Sequence, residues 1–298
     1  MKKQTTRFIF TLLFLLSAAN TMALVPGKNH ITKAVSITSP FQSIEITGSP
    51  DVEYTQSNGK ATVSIYGSDN LVELLDVHVS KGTLIVKCRK RISAQGEEKL
   101  KVIVSSPRLK QINIAGSGNV ELKGTIKGDM LNMHITGSGN IEGKHIYYAG
   151  INIHISGSGD VSLKEIGSEN LTAKVNGSGN IALKGKTETA HFEVSGSGEI
   201  DAEKLKAEKV TAQVYGSGDI QCQTTDELNA YVSSPQGDIG YTGNPKKVYK
   251  KGHKENTKEL KRNKPAKKIP VTRIRSGGPS LTKKRFFLLV LKSLKSVI

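Results

Sequence analysis

Through the middle of the chain apolar and polar residues alternate, and at near-equal intervals the alternation breaks on a Gly-Ser-Gly tripeptide. The motif begins at Gly116, Gly137, Gly157, Gly177, Gly196 and Gly216, with a divergent copy, "PQGD", from Pro235. Successive spacings are 21, 20, 20, 19, 20 and 19 residues. A period of this length marks a solenoid, in which each repeat buries its apolar face only by stacking on its neighbours.

Aligned on this corner, the copies form columns. Directly after the fourth residue stand Val120, Ile141, Val161, Ile181, Ile200, Ile220 and Ile239. Two positions on stand Leu122, Gly143, Leu163, Leu183, Ala202, Cys222 and Tyr241. Two before the first glycine are Ile114, Ile135, Ile155, Val175, Val194 and Val214, and two before these are Ile112, Met133, Ile153, Ala173, Phe192 and Ala212. Period-two spacing on both sides of a turn predicts strands with one buried face. A weaker column, five residues after the first, holds Ile146, Ile166 and Leu205, with Thr125, Lys186 and Thr225 as exceptions.

Three apolar edges around a circuit of about twenty residues predict an all-β fold. It is a right-handed parallel β-helix whose strands stack about 4.8 Å apart. The corner composition follows from the turn. Glycine takes positive φ without a Cβ clash, and Asn or Asp accepts left-handed geometry while bonding nearby backbone. The expected structural ladder therefore pairs Gly116 with Asn119, Gly137 with Asn140, Gly157 with Asp160, Gly177 with Asn180, Gly196 with Glu199 and Gly216 with Asp219. In the last copy Val232, not Ser233, matches Val214, which predicts a bulge from one extra residue.

Residues 31–110 are patterned differently. "FQSIEIT", "DVEYTQ", "ATVSIYG", "LVELLDVHVS", "GTLIVKCRK" and "LKVIVSS" read as strands between polar turns, "SNGK", "SKG" and "QGEE". "GSPD" at 48–51 and "GSDN" at 67–70 read as degraded corners. This region is expected to form the first coils, elaborated by hairpins and continuous with 111–245 as one domain. From about Asn244 the alternation fades, and residues 246–298 are expected to be a basic, disordered tail. It ends in "KKRFFLLVLKSLKSVI", too short an apolar run to span a bilayer and suited to a basic surface helix.

Charge separates these regions. The formal net charge of the 298 residues is +17. From Lys246 onward 18 Lys/Arg face only Glu255 and Glu259, a net of +16, which leaves +1 for residues 1–245. The tail is suited to anionic surfaces through salt-dependent attraction, and without interleaved aromatics it gives no specific nucleic-acid recognition.

At the other end Lys2, Lys3 and Arg7 precede an apolar segment at 8–19 and the small-residue site Thr21-Met22-Ala23. This pattern predicts a signal peptide, residues 1–23, and export to the periplasm, the outer-membrane surface or the extracellular space. Cys88 and Cys222 each share the phase of apolar neighbours and read as small buried residues, with a disulfide the alternative that export allows.

"FQSIEITGSPDVEYTQ", then "LKQINIAGSGNVEL", then repeated Gly-Ser-Gly corners closed by Asn or Asp and followed by Val or Ile: over residues 38–245 this chain resembles the bacterial head-GIN domain family of autotransporter-type adhesins. The resemblance implies a right-handed β-helix in or outside the cell envelope and a role in adhesion. It supplies no catalytic residues. The family pattern stops after Lys251, where a basic tail stands in place of another glycine corner.

The candidate chemistries are few. No Gly-Lys-Ser/Thr follows the glycines, which argues against a phosphate loop. The corner's fourth position varies among Asn, Asp and Glu, so it offers a calcium ion no convergent set of carboxylates. His134 and His154 fall at the same outward position on adjacent coils, but a third zinc ligand is not apparent. A polysaccharide-active enzyme would need paired acids on an outward face. The outward columns instead read Thr136, Ser156, Asn176, Ser195, Tyr215 and Asn113, His134, His154, Lys174, Glu193, Gln213.

The expectation is an exported protein without catalytic residues, metal or cofactor. Its repetitive polar surface would serve adhesion or scaffolding, with cell-surface glycans or envelope proteins as partners. A polysaccharide-active enzyme and a purely structural, self-associating envelope element are the other two classes. Unpaired strand edges at an open solenoid end keep oligomers among the expectations.

Overall fold

The computed structural model describes residues 29–89 and 100–260. The expected signal peptide, the turn at 95–98 and the sequence from 261 onward, with its apolar end, lie outside the described residues. The described chain is a β-solenoid of 17 strands linked into one hydrogen-bonded sheet.

Its regular coils are the strands β9 to β14 below, and the elements before them run in chain order. They are β1 (His30–Val35), β2 (Ser43–Gly48), β3 (Asp51–Gln56), β4 (Thr62–Ser68), a single helical turn α1 (Asp69–Val72), β5 (Leu75–Ser80), β6 (Thr83–Cys88), β7 (Lys101–Ser106) and β8 (Gln111–Gly116). β2 lies between β6 and β8, parallel to both, and its corner at Gly48 stacks on Gly116. "GSPD" is therefore a corner of the solenoid. "GSDN" is not: Gly67 and Ser68 end β4, which pairs antiparallel with β1 and β7, and Asp69 begins α1. The β5–β6 hairpin supplies the other antiparallel pairing. Val72 and Leu75 pack into the core at this end, and Leu71 is buried beside them in sequence, so that the hairpins and α1 cover it.

The regular coils follow: β9 (Asn119–Gly137), β10 (Asn140–Gly157), β11 (Asp160–Gly177), β12 (Asn180–Gly196), β13 (Glu199–Gly216) and β14 (Asp219–Val232), each parallel to the next. The column from Val120 to Ile239 is in register coil by coil, and none of its seven residues is more than 1% exposed. The two columns before the corner continue through Ala230 and Val232. A further inward column was not anticipated: Leu131, Ile151, Leu171, Ala190, Val210 and Leu228 stack in register and are buried. The strand before each corner thus contributes three inward side chains. Each larger aliphatic one contributes about 1.5–3 kcal/mol when fully buried.

On the far side of each coil the expected column was out of phase in half the coils. Ile126, not Thr125, stacks on Ile146, and Gly185, not Lys186, sits between Ile166 and Leu205. In β14 the inward residue is Thr224, fully buried, not Thr225. Bulges cause the slips, because one inserted residue turns every following side chain to the opposite face.

Two interior tyrosines brace the elaborated end, Tyr54 from within it and Tyr148 from the regular coil β10. The Tyr54 hydroxyl lies 3.0 Å from Ser106 Oγ, and Tyr148 donates to the Leu109 carbonyl at 2.9 Å. Burial pushes the phenol of each above its ordinary value.

At the C-terminal end the boundary expected at residue 245 falls too early. β15 (Asp238–Thr242), β16 (Lys247–Gly252), a 3-10 turn at Lys254–Asn256 and β17 (Thr257–Glu259) complete another coil. β16 is parallel to β14 and β17 to β15. The 3-10 turn replaces the glycine corner, and Asn256 Nδ2 donates to the carbonyls of Pro235 and Gly237 at 2.8 and 2.7 Å. The alternation is obscured because a lysine takes a core position. Lys250 stands opposite Ala230, in the column of Ile112 and Phe192. Its ammonium donates to the Thr257 carbonyl at 2.7 Å and lies 5.7 Å from the centre of the Tyr241 ring. An inward lysine lays its aliphatic stem over the core and discourages pairing with another chain at this edge.

Candidate functional site

Two surfaces follow from the winding: the corner edge, and the outward face of the strands that precede it.

At the corner, the N–H of each serine donates to the first glycine of the coil before: Ser138 to Gly116, Ser158 to Gly137, Ser178 to Gly157 and Ser197 to Gly177, all at 2.9 Å. The glycines are needed for this close approach. Gly157 has φ +133°, and a Cβ there would lie 2.4 Å from the Gly137 carbonyl oxygen. Gly159 has no unusual φ, yet a Cβ would meet the Gly139 oxygen at 2.2 Å and Ile135 Cγ2 at 2.9 Å.

The fourth-position side chains form a hydrogen-bonded ladder over part of the edge. Asn119 donates through Nδ2 to Asp51 Oδ1 at 2.8 Å, and Asn140 to Asn119 Oδ1 at 2.8 Å. The Asp160 N–H donates to Asn140 Oδ1 at 3.0 Å, and Asn180 Nδ2 to Asp160 Oδ1 at 2.9 Å. Beyond Asn180 the pattern changes. The N–H groups of Glu199 and Asp219 donate to the backbone carbonyls of Gly179 and Gly198, and the acid side chains are exposed. The corner residues named from the sequence are thus brought into one row, and side-chain hydrogen bonds join it only as far as Asn180.

The outward face before the corner is flat and regular. One column reads Asn113, His134, His154, Lys174, Glu193, Gln213, Tyr231 and Lys251; its neighbour reads Gln111, Asn132, Asn152, Thr172, His191, Thr211, Asn229 and Tyr249. Short links cross between coils: Asn152 to Asn132 at 2.9 Å and Lys174 to Glu193 at 2.7 Å. The Lys174 ammonium holds the Glu193 carboxyl below its ordinary value. The His134 and His154 rings are 6.1 Å apart and tilted by 58°. Burial, then the neighbouring His154, lowers the pKa of His134. Among the described residues no group of three or more His, Cys, Asp or Glu is placed to hold a metal ion.

One cluster escaped the sequence reading, which examined only the strand before the corner. After it, Glu53, Glu121 and Glu142 stack in register and, with Asp51, Asn119, Asn140 and Lys101, line a hollow of about 440 Å³. Paired acids are thus present on an outward face after all, and the alternation of Glu at the position between Val120 and Leu122 was the available signal. Lys101 binds Glu53, and Lys123 binds Glu121 with Glu53 in reach at 3.9 Å. Glycosidic acid–base pairs place their two carboxyls in contrasting surroundings. Here Lys123 serves both Glu53 and Glu121, and Lys101 adds to Glu53, as in a surface ion-pair network.

Both cysteines are free thiols, Cys88 half-buried and Cys222 buried. Burial pushes the Cys222 thiol up to about 12, which keeps it protonated and unreactive.

Among solved structures, the chain is similar to a "Putative lipid binding protein" from Parabacteroides distasonis. Identity is 28%, the TM-score is 0.70, and the match covers 79% of this chain and 98% of the other. A "putative adhesin" from Parabacteroides merdae matches at 26% identity and TM-score 0.71, over 80% of this chain and 99% of the other. Another from Bacteroides fragilis matches at 28% and 0.59, over 79% and 96%. No curated protein matches in sequence. The profile of one family matches residues 40–164 and again 144–245. The chain belongs to that family, described as "Putative auto-transporter adhesin, head GIN domain".

Proposed function

We propose that the protein is exported and works at the bacterial envelope as a non-enzymatic solenoid, its flat outward face attaching to other surfaces by adhesion or scaffolding. The observation that carries this reading is the face itself. Amide, hydroxyl and imidazole side chains repeat in register across successive coils from Gln111 to Tyr249. Such an array offers many weak contacts in parallel, and multiplied weak contacts give strong attachment without any single deep site. Membership in an adhesin-described family supports the same reading. Lipid binding, as in the description of one neighbour, would call for an accessible apolar cavity, whereas the inward columns are filled by side chains at most a few per cent exposed.

The test is attachment of beads coated with the purified protein to bacterial-envelope and glycan-coated surfaces, beside an assay for reducing or unsaturated sugar ends. Saturable attachment without sugar release is the expected result. Release of sugar ends would replace this reading with the enzyme, and a stable oligomer that attaches to nothing would replace it with the structural element. Intact mass of the exported protein is expected to show a start at Leu24.

A further inference from the structure

Toward the C-terminal end the outward face changes character. Tyr215, Tyr231 and Tyr249 lie on three successive coils, each one column across from the last. Gln213 stands opposite Tyr231, and Asn229 opposite Tyr249. The rings of Tyr215 and Tyr231 are 5.5 Å apart and tilted by 53°. Tyr215 is 41% and Tyr249 50% exposed, and a Cβ on Gly252 would touch Tyr231 Cε2 at 3.4 Å. The Tyr231 ring thus lies beside Gly252, whose own lack of a side chain is required by the Val232 carbonyl, 1.9 Å from where a Cβ would stand. Three tyrosines therefore form a diagonal strip across an otherwise polar face, with Thr211, Gln213 and Asn229 between them.

Lys247 and Lys251 point outward on the same strand as Tyr249. Lys246 is paired with Asp226 at 3.0 Å, but neither Lys247 nor Lys251 has an ion-pair partner among the described residues. Glu227 stands opposite Lys247, and its carboxylate takes a hydrogen bond from Asn229 at 2.8 Å. Between Lys246 and Leu260 six lysines stand against Glu255 and Glu259, a net of +4.

We infer that this strip is a binding site for an acidic polysaccharide. The tyrosine rings offer flat apolar faces to the C–H faces of sugar rings. The interleaved amides and hydroxyls match sugar hydroxyls, and the unpaired ammonium groups match carboxylates. A folded protein partner fits less well, because two exposed tyrosines and a partly buried third fall far short of the roughly 800 Å² per partner that a stable interface buries. The inference rests on the adhesion reading and names its ligand class.

The experiment measures binding of the full-length protein to polygalacturonate, with dextran as the neutral control, at about 0.15 M salt, where charges are screened beyond about 8 Å. Tyr231→Ala with Tyr249→Ala is expected to weaken polygalacturonate binding at least tenfold. Tyr231→Phe, which keeps the ring, and Tyr147→Ala, an exposed tyrosine on another side, are expected to leave it unchanged. Lys247→Gln with Lys251→Gln is expected to weaken it severalfold and flatten its salt dependence. Circular dichroism and thermal melting check that each variant is folded. Undiminished binding by the tyrosine variant, or equal binding of dextran, overturns the assignment. Tyrosine-dependent binding to anionic phospholipid vesicles but not to polygalacturonate overturns it in favour of a membrane surface. If the tyrosine variant binds polygalacturonate undiminished while beads coated with the parent attach to envelopes, only the strip assignment fails; if the parent attaches to nothing, the adhesion reading fails with it.

Discussion

Every register shift between neighbouring regular coils falls on the side of the solenoid away from the pre-corner strands. The breaks lie between Gly143 and His145, Leu163 and Ile166, Ala182 and Lys184, and at two places between Ala202 and Lys209. From Leu131 to Gly137, and at the matching positions of each later coil through Gly216, pairing runs without interruption. Coil lengths differ by up to two residues, and the far side absorbs the difference. The physical reason is visible in the glycines. At Gly139, Gly159, Gly179 and Gly198 a Cβ would strike the same carbonyl of the coil before at 2.2 or 2.3 Å, whereas on the far side the contacts differ from coil to coil: at Gly124 it would meet nothing within 4 Å and at Gly185 it would strike the Ile166 carbonyl at 2.2 Å. One edge repeats a single backbone contact in every coil, and the other repeats none.

The contrast is broken most severely by alanine at the corner. Gly159→Ala forces a methyl into the Gly139 carbonyl, and a loss of about 3 kcal/mol or more, or failure to fold, is expected in urea unfolding. Gly124→Ala, at φ +70° but in open space, is expected to cost only about 1 kcal/mol. Equal losses at the two sites would remove the distinction.

A smaller effect probes the ladder. Asn140→Ala deletes the donor to Asn119 and the acceptor for the Asp160 N–H. The expected cost is about 1 kcal/mol, since water reaches this edge. On the far side Glu165, like Gly124, holds a positive φ, +54°. Glu165→Gly is expected to raise stability by about 0.5 kcal/mol, relief of left-handed strain exceeding glycine's added entropy cost and the loss of an exposed contact to His145.

The smallest effect is titration on the outward face. His134 has a folded-state pKa below the ordinary value, so the unfolded chain binds its proton first. Stability is therefore fully present above about pH 6.5 and declines as pH falls below it. His134→Gln is expected to flatten that slope slightly when unfolding is compared at pH 8 and pH 5.5.

What the sequence revealed follows the same division. Around the corner, strict alternation stays in phase with the glycines, so the columns through Val161 and Ile155 could be aligned without a structure. Leu131 and its partners carried the same signal two residues further out and were overlooked. On the far side the phase is lost at each bulge, which is why Thr125 was placed where Ile126 belongs and Thr225 was aligned with Leu205, whereas the buried residue there, Thr224, stands opposite Ala207. The last coil was missed because Lys250 takes an inward position and a 3-10 turn takes the place of Gly-Ser-Gly. The tyrosine strip went unread for the same reason: Tyr215 was recognised as outward, but its relation to Tyr249 exists only once residues 247–252 are wound onto the coil below. The glutamate hollow depends likewise on stacking β3 against β9, a pairing between residues far apart in the chain.

The central claim is that successive repeats lie directly on one another in fixed register. Cysteine pairs test it. Ser156 stands opposite Asn176 on the next coil, and parallel strands about 4.8 Å apart fall within the roughly 4.4–6.8 Å that a disulfide spans. On mild oxidation, Ser156→Cys with Asn176→Cys is expected to form an intramolecular disulfide rapidly, while Ser156→Cys with Lys174→Cys, displaced by two residues, does not. Preferential cross-linking of the displaced pair, or of neither, would contradict the account.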